Sequence, residues 1–173
     1  MKSLHKGQKG FTLVELLIVI AITGLIAGGI TMTIMQVFNI NTRTTNRMTA
    51  VRQVQQAGFW VSPDVQMAQS VNASGSSGFP LILTWTEWTG NTTHTVNYTL
   101  VNMPSGTLKK LQRSHSVDDD PPTVTLVAEY IDPYQTGCEL ASNSTALVFT
   151  VTATVGEESE TRVYEVKPRP EME

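Results

Sequence analysis

The sequence is poor in cysteine. It has a single one, Cys138, so no disulfide can form within the chain and the core has to hold the fold. It is also poor in charge, with 16% charged residues against roughly 25% in an ordinary soluble domain. It carries no excess of positive charge. The formal net charge of −3 gives no electrostatic case for nucleic acid as a partner. The histidines are His5, His94 and His115. No Ser-His-Asp, paired-glutamate or histidine-cluster spacing accompanies them. Nothing in the pattern announces catalysis, and no cofactor is expected. What remains is 173 residues, enough for one domain with a core of its own.

What the sequence does have is a long apolar run. From Phe11 to Phe38 the only ionisable side chain is Glu15. A helix needs roughly 20 apolar residues to cross a bilayer core, and Leu16 to Phe38 supplies them. Gly24, Gly28 and Gly29 lie inside the run. Glycine is common in membrane helices, where it permits close packing. The lysines of the leader, Lys2, Lys6 and Lys9, precede the run and favour a cytoplasmic amino end. A carboxylate in hydrocarbon costs several kcal/mol unless it is paired or lies near the interface. Glu15 therefore has two readings: headgroup depth, or a cation close by. Cutting between Gly10 and Phe11 would create such a cation four residues before Glu15, roughly 6 Å along a helix. The partner is then the chain's own amine or that of a neighbouring subunit.

The stretch "KGFTLVELLIVIAITGLIAGGI", Lys9 to Ile30, resembles the amino-terminal signature of type IV pilins and type II secretion pseudopilins: basic leader, Gly10, Phe11, Thr12, Leu13, Glu15, then an apolar helix. The resemblance implies cleavage after Gly10 by a prepilin peptidase and methylation of the Phe11 amine. It implies that Glu15 pairs with the amine of a neighbouring subunit during filament assembly. The implied partners are other pilin or pseudopilin subunits, the prepilin peptidase, an assembly platform in the inner membrane, and the bilayer. The implied location is the cytoplasmic (inner) membrane with the carboxy-terminal domain outside, then a surface filament or pseudopilus.

After Phe38 the chain turns polar, with apolar positions spaced by three and four: Ile40, Thr44, Met48, Val51, Val54, Gly58, Val61, Val65 and Ala68. That spacing predicts one stripe of an amphipathic helix. Ser62-Pro63-Asp64 predicts a break near Pro63, with Ser62 capping a short second helix to about Ser70. "NASGSSG", from Asn72, reads as a connector. Strands are expected over Leu81–Trp88, Thr92–Val101, Thr107–Arg113, Thr123–Ile131, Thr145–Val155 and Thr161–Val166. Turns are expected at Thr89-Gly90-Asn91, Pro104-Ser105-Gly106 and Gly156 to Ser159, with "DPYQTGCELASNS" as a loop. The fold class is α+β: a long amino-terminal helix, half membrane and half amphipathic, packed on an antiparallel sheet. The expected organisation is leader 1–10, transmembrane and assembly helix 11–38, amphipathic helix 39–71 and a β-rich domain 72–173. This order is similar to that of pilins. The segments "QAGFWVSPDVQMAQSV" and "ETRVYEVKPR" resemble minor pilins and larger minor pseudopilins. Two departures from major pilins agree with that: Met32 to Met35 holds no proline, and Cys138 cannot close a carboxy-terminal disulfide loop alone.

Other residues admit competing readings. Asp118-Asp119-Asp120 offers oxygen ligands for calcium, but the spacing favours a solvated turn before Pro121-Pro122, so no metal is assigned. Trp60, Trp85 and Trp88 make either an exposed patch for a partner or polysaccharide, or core. An adhesin or tip module, or a signal-anchored enzyme or sensor, are the alternatives to a structural subunit. Cys138 is read as a buried small residue rather than a reactive thiol. Glycosylation sequons stand at Asn72, Asn91, Asn97 and Asn143.

Overall fold

The computed structural model describes residues 10–88, 90, 92–118, 120–141 and 146–169. The expected leader up to residue 9, together with Thr89, Asn91, Asp119, Asn143 and the end of the tail, lies outside the described residues. One helix, α1 (Leu13–Met67), is followed by eight strands. They are β1 (Ser70–Ala73), β2 (Leu81–Thr86), β3 (Thr93–Asn102), β4 (Lys109–Val117), β5 (Thr123–Ile131), β6 (Gly137–Leu140), β7 (Leu147–Val155) and β8 (Glu158–Val166). The chain divides into two units, Met1–Thr42 and Arg43–Glu173.

The first unit is helix without cover. Every described residue from Gly10 to Thr42 is exposed, and the helix there is long and apolar enough to cross a membrane. Its hydroxyls do not need outside partners. Thr23 donates to the Val19 carbonyl at 2.7 Å, Thr31 to Ala27 at 2.8 Å and Thr33 to Gly29 at 2.9 Å. Each threonine is thus satisfied by its own helix, which suits a segment that meets hydrocarbon.

The second unit packs the rest of α1 on an antiparallel sheet. Strands β1 to β5 form a meander. β5 meets β7 through one pair, Ile131 opposite Ala153. β7 then carries β6 along its first half and β8 along its whole length. The buried face of α1 is Ala50, Val54, Ala57, Gly58, Val61, Asp64 and Val65. It packs against Leu81, Leu83, Val96, Tyr98, Leu111, Phe149 and their neighbours.

Several expectations are corrected here. Ile40, Thr44 and Met48 are exposed and Val51 is only half-buried. Full burial begins at Ala50; of the described helix residues before it only Asn46 and Thr49 are partly covered, so the apolar positions upstream stay exposed. The break near Pro63 is absent, and the helix runs through it to Met67. A proline inside a helix deprives the carbonyl four residues back of its donor. That carbonyl belongs to Phe59, which is 73% exposed, so water can serve it. Meanwhile Val61, Asp64 and Val65 are held on the sheet. The helix also stops short of Ser70, and Ser70–Ala73 is strand β1, paired with β2. The expected loop around Cys138 contains β6. β4 reaches Val117, four residues past the expected end. The last hairpin is tighter than expected: Val155 pairs with Glu158 across Gly156-Glu157. Gly156 sits at φ +60° with Asn46 close by, which favours glycine.

Gly58 is a close-approach glycine. A Cβ there would lie 2.1 Å from the Tyr164 ring, whose hydroxyl donates to the Val54 carbonyl at 3.0 Å. The helix accepts the propensity cost of glycine, about 1 kcal/mol, so that β8 can lie against it. Gly58→Ala should displace the ring and lower stability by about 1–3 kcal/mol. Chemical unfolding of the full chain in detergent micelles, compared with wild type, measures this.

Candidate functional site

The start of α1 is built by a reciprocal cap. The backbone N–H of Thr12 donates to Glu15 Oε2 at 2.9 Å, and the Thr12 hydroxyl donates to the same oxygen at 2.8 Å. The Glu15 N–H donates back to the Thr12 hydroxyl at 3.3 Å. This is a capping box, in which a threonine and a glutamate three residues on satisfy orphan helix donors. The pattern "TLVE" carries it in the sequence, and sequence reasoning missed it. Both contacts fall on Oε2, so Oε1 accepts from none of the described residues. Gly10 and Phe11 precede the helix, and Phe11 is 85% exposed. The site is therefore a stiff helix start with an accessible chain before it, a carboxylate with one unused oxygen, and an apolar surface behind.

In the body, the groups noted in the sequence separate into distinct places. Trp85 is buried in the core, Trp60 is half-buried, and Trp88 is 82% exposed, so the three tryptophans do not form one patch. Trp60 lies under the Arg113 guanidinium at 5.4 Å. Arg113 grips Asp64 with two bonds, Nε to Oδ2 at 2.7 Å and Nη2 to Oδ1 at 3.0 Å. Tyr98 donates to Oδ2 at 2.5 Å. Burial, reinforced by the Asp64 carboxylate, pushes the Tyr98 hydroxyl above its ordinary pKa. The hydrogen bonds to Asp64 likewise raise Arg113. Sequence reasoning took Asp64 only as part of a helix start and did not single out Arg113. No spacing rule pairs residues 49 positions apart.

The fold also joins two histidines that looked unrelated. His94 Nδ1 and His115 Nε2 are 3.0 Å apart, a single hydrogen bond between rings. His94 Nε2 lies 3.2 Å from Glu87 Oε1, and Trp85 stacks on His94 at 5.1 Å. Burial first, then Arg113 and His94, lowers the His115 pKa from its usual 6.5, with Asp64 opposing.

The Asp118 carboxylate is engaged by the Thr93 N–H at 2.7 Å. Among the described residues no cluster of three acidic, histidine or cysteine side chains is placed to hold a metal. Cys138 is buried on β6, and burial pushes its thiol up to about 12. A thiol so shifted is unreactive, as the buried reading expected. Asn72 lies on β1, and Asn97 lies on β3 with its side-chain oxygen buried.

Residues 5–31 match the family described as the prokaryotic N-terminal methylation motif. No curated protein and no solved structure matches the chain. The motif, with the long apolar helix behind it, is consistent with the type IV pilin and pseudopilin family and supports a prepilin-type substrate. It also fits an anchor in the inner membrane. The helix packed on a curled antiparallel sheet is an α+β, pilin-like fold.

Three outcomes follow for the body. Arg113→Met strands the Asp64 charge and should cost about 3–5 kcal/mol. Tyr98→Phe leaves both arginine bonds and should cost about 1–2 kcal/mol. Denaturant unfolding of both variants checks the order. For His115, the folded pKa lies below the unfolded 6.5, so the unfolded chain takes up the proton first as pH falls. Stability is full above about pH 6.5 and is lost as pH drops toward the folded value. Melting curves at pH 7.5 and pH 5 should show this loss, and His115→Asn should reduce it.

Proposed function

We propose that this chain, which carries the methylation motif at residues 5–31, is a prepilin that matures into a minor subunit of a type IV pilus or type II secretion pseudopilus. It is a structural subunit rather than an enzyme. The observation that carries the reading is that this motif runs into an apolar helix whose described residues, Gly10 to Thr42, are all exposed.

The steps assign one role to each residue. Prepilin peptidase cleaves between Gly10 and Phe11 on the cytoplasmic face, where both residues precede the helix, and methylates the Phe11 amine. Loss of the leader's three lysines takes the formal side-chain charge from −3 to −6. Subunits are then drawn from the inner membrane through an assembly platform, their apolar helices packing against one another. Glu15 pairs with the amine of a neighbouring subunit through the oxygen that the cap leaves unused. Cys138, the single cysteine, cannot close a carboxy-terminal disulfide loop alone, and with the absence of proline at Met32 to Met35 this supports the minor-subunit reading.

Intact mass and amino-terminal sequencing of protein from native membranes test the processing step. The expected product begins at methylated Phe11. A chain still beginning at Met1, in cells with an active prepilin peptidase, defeats the proposal. The role of Glu15 separates by substitution. A capping box accepts glutamine in place of glutamate, so Glu15→Gln keeps the helix start and loses the charge. Membrane insertion of Glu15→Gln and Glu15→Ala should be normal. Incorporation into filaments should fall roughly tenfold for both, the scale of one charge-assisted hydrogen bond. Wild-type incorporation of Glu15→Gln would reduce Glu15 to a cap.

A further inference from the structure

Tyr134 is an aromatic side chain that the fold does not use. It is 88% exposed, yet the loop that bears it is stiff. The Asp132 N–H donates to the Thr152 carbonyl at 2.9 Å. The Asp132 carboxylate accepts from the Tyr134 N–H at 2.9 Å and from the Gln135 amide at 3.1 Å. The Thr152 hydroxyl donates to the Gln135 carbonyl at 3.2 Å. So many ties on a five-residue loop hold its aromatic residue out in water at a fixed place.

A depression opens on each side of Tyr134. One, of about 300 Å³, is bounded by the β1–β2 connection at Ser76 and Ser77 and by Glu139 and Thr150. The other, of about 370 Å³, is bounded by the β3–β4 turn, with Ser105 and Lys109. Tyr134 is a wall of both. Each volume is at the lower end of the range for small-molecule sites. The walls are mainly hydroxyl, amide and backbone groups.

We propose that the two depressions form one groove for a neutral oligosaccharide. The Tyr134 ring stacks on the apolar face of a sugar ring. The hydroxyls of Ser76, Ser77 and Thr150 and the Glu139 carboxylate bond the sugar hydroxyls on one side, and Ser105 and Lys109 on the other. The chemistry selects this class over others. A sugar presents dense donors and acceptors around a small apolar face, which matches an isolated aromatic among polar groups. One carboxylate and one ammonium, on opposite sides, select neither an anion nor a cation. β6 is an edge strand, but its outward Cys138 N–H already donates to the Ser77 carbonyl at 2.9 Å, so an extended peptide cannot pair along that edge. This inference does not depend on the filament reading.

The test uses the full chain in detergent micelles and saturation-transfer NMR with maltohexaose, cellohexaose and chitohexaose as probes. At least one should receive magnetisation. Tyr134→Ala should weaken that binding about tenfold, and Glu139→Gln should weaken it severalfold. Trp88→Ala, at the exposed tryptophan beyond β2, should leave it unchanged. The proposal is overturned if none of the three sugars binds, if binding survives Tyr134→Ala, or if Trp88→Ala weakens it equally. An unchanged unfolding transition for Tyr134→Ala shows that any loss is local.

Discussion

An apolar helix surface that is exposed throughout the described residues is the constraint on which the rest depends. A large apolar side chain left in water forgoes about 1.5–3 kcal/mol, and the run from Phe11 to Phe38 holds many of them. Every described residue of this run is exposed. Its cover has to be lipid or other helices. In either setting backbone and side-chain polar groups must be satisfied internally, which the threonine bonds to preceding carbonyls do. Glu15 is the exception, and it stands at the helix start, where a carboxylate also favours the dipole.

The body solves a different problem. There the helix must be fixed to a sheet in water with no disulfide. Packing does most of this, through small residues that let strand and helix approach, Ala50, Ala57 and Gly58. The pairing of Asp64 with Arg113 and Tyr98 then fixes how the sheet sits on the helix. A buried charge cluster is weak evidence for added stability. Geometrically it ties the helix to the sheet at one point, because Asp64 has to reach Tyr98 and Arg113 together. That anchor also lies next to Pro63, where the helix loses a backbone bond.

Long periodic elements were legible in the sequence, and contacts between distant residues were not. The apolar run, the order of helix then sheet, and β5 with its ends came directly from composition and period. Pro63 misled, because a local rule for helix breaking ignores the packing of Val61 and Val65. β1 and β6 were missed because four-residue strands are too short to show alternation. Both exist through pairing, with β2 and β7. At the helix start, "TLVE" encodes the capping box, a local geometry that the charge of Glu15 alone does not reveal. The joining of His94 to His115 and of Asp64 to Arg113 required the sheet register, which no spacing along the chain contains.

The cap at Thr12 and Glu15 bears on what a cut before Phe11 would change. Every bond of the cap lies on the carboxyl side of the Gly10–Phe11 peptide. Hydrolysis of that peptide would leave the cap whole. The precursor and its product would thus share one helix start and differ in the charge of its end. A carrier that recognises shape would treat them alike, and a neighbour that recognises charge would accept only the second.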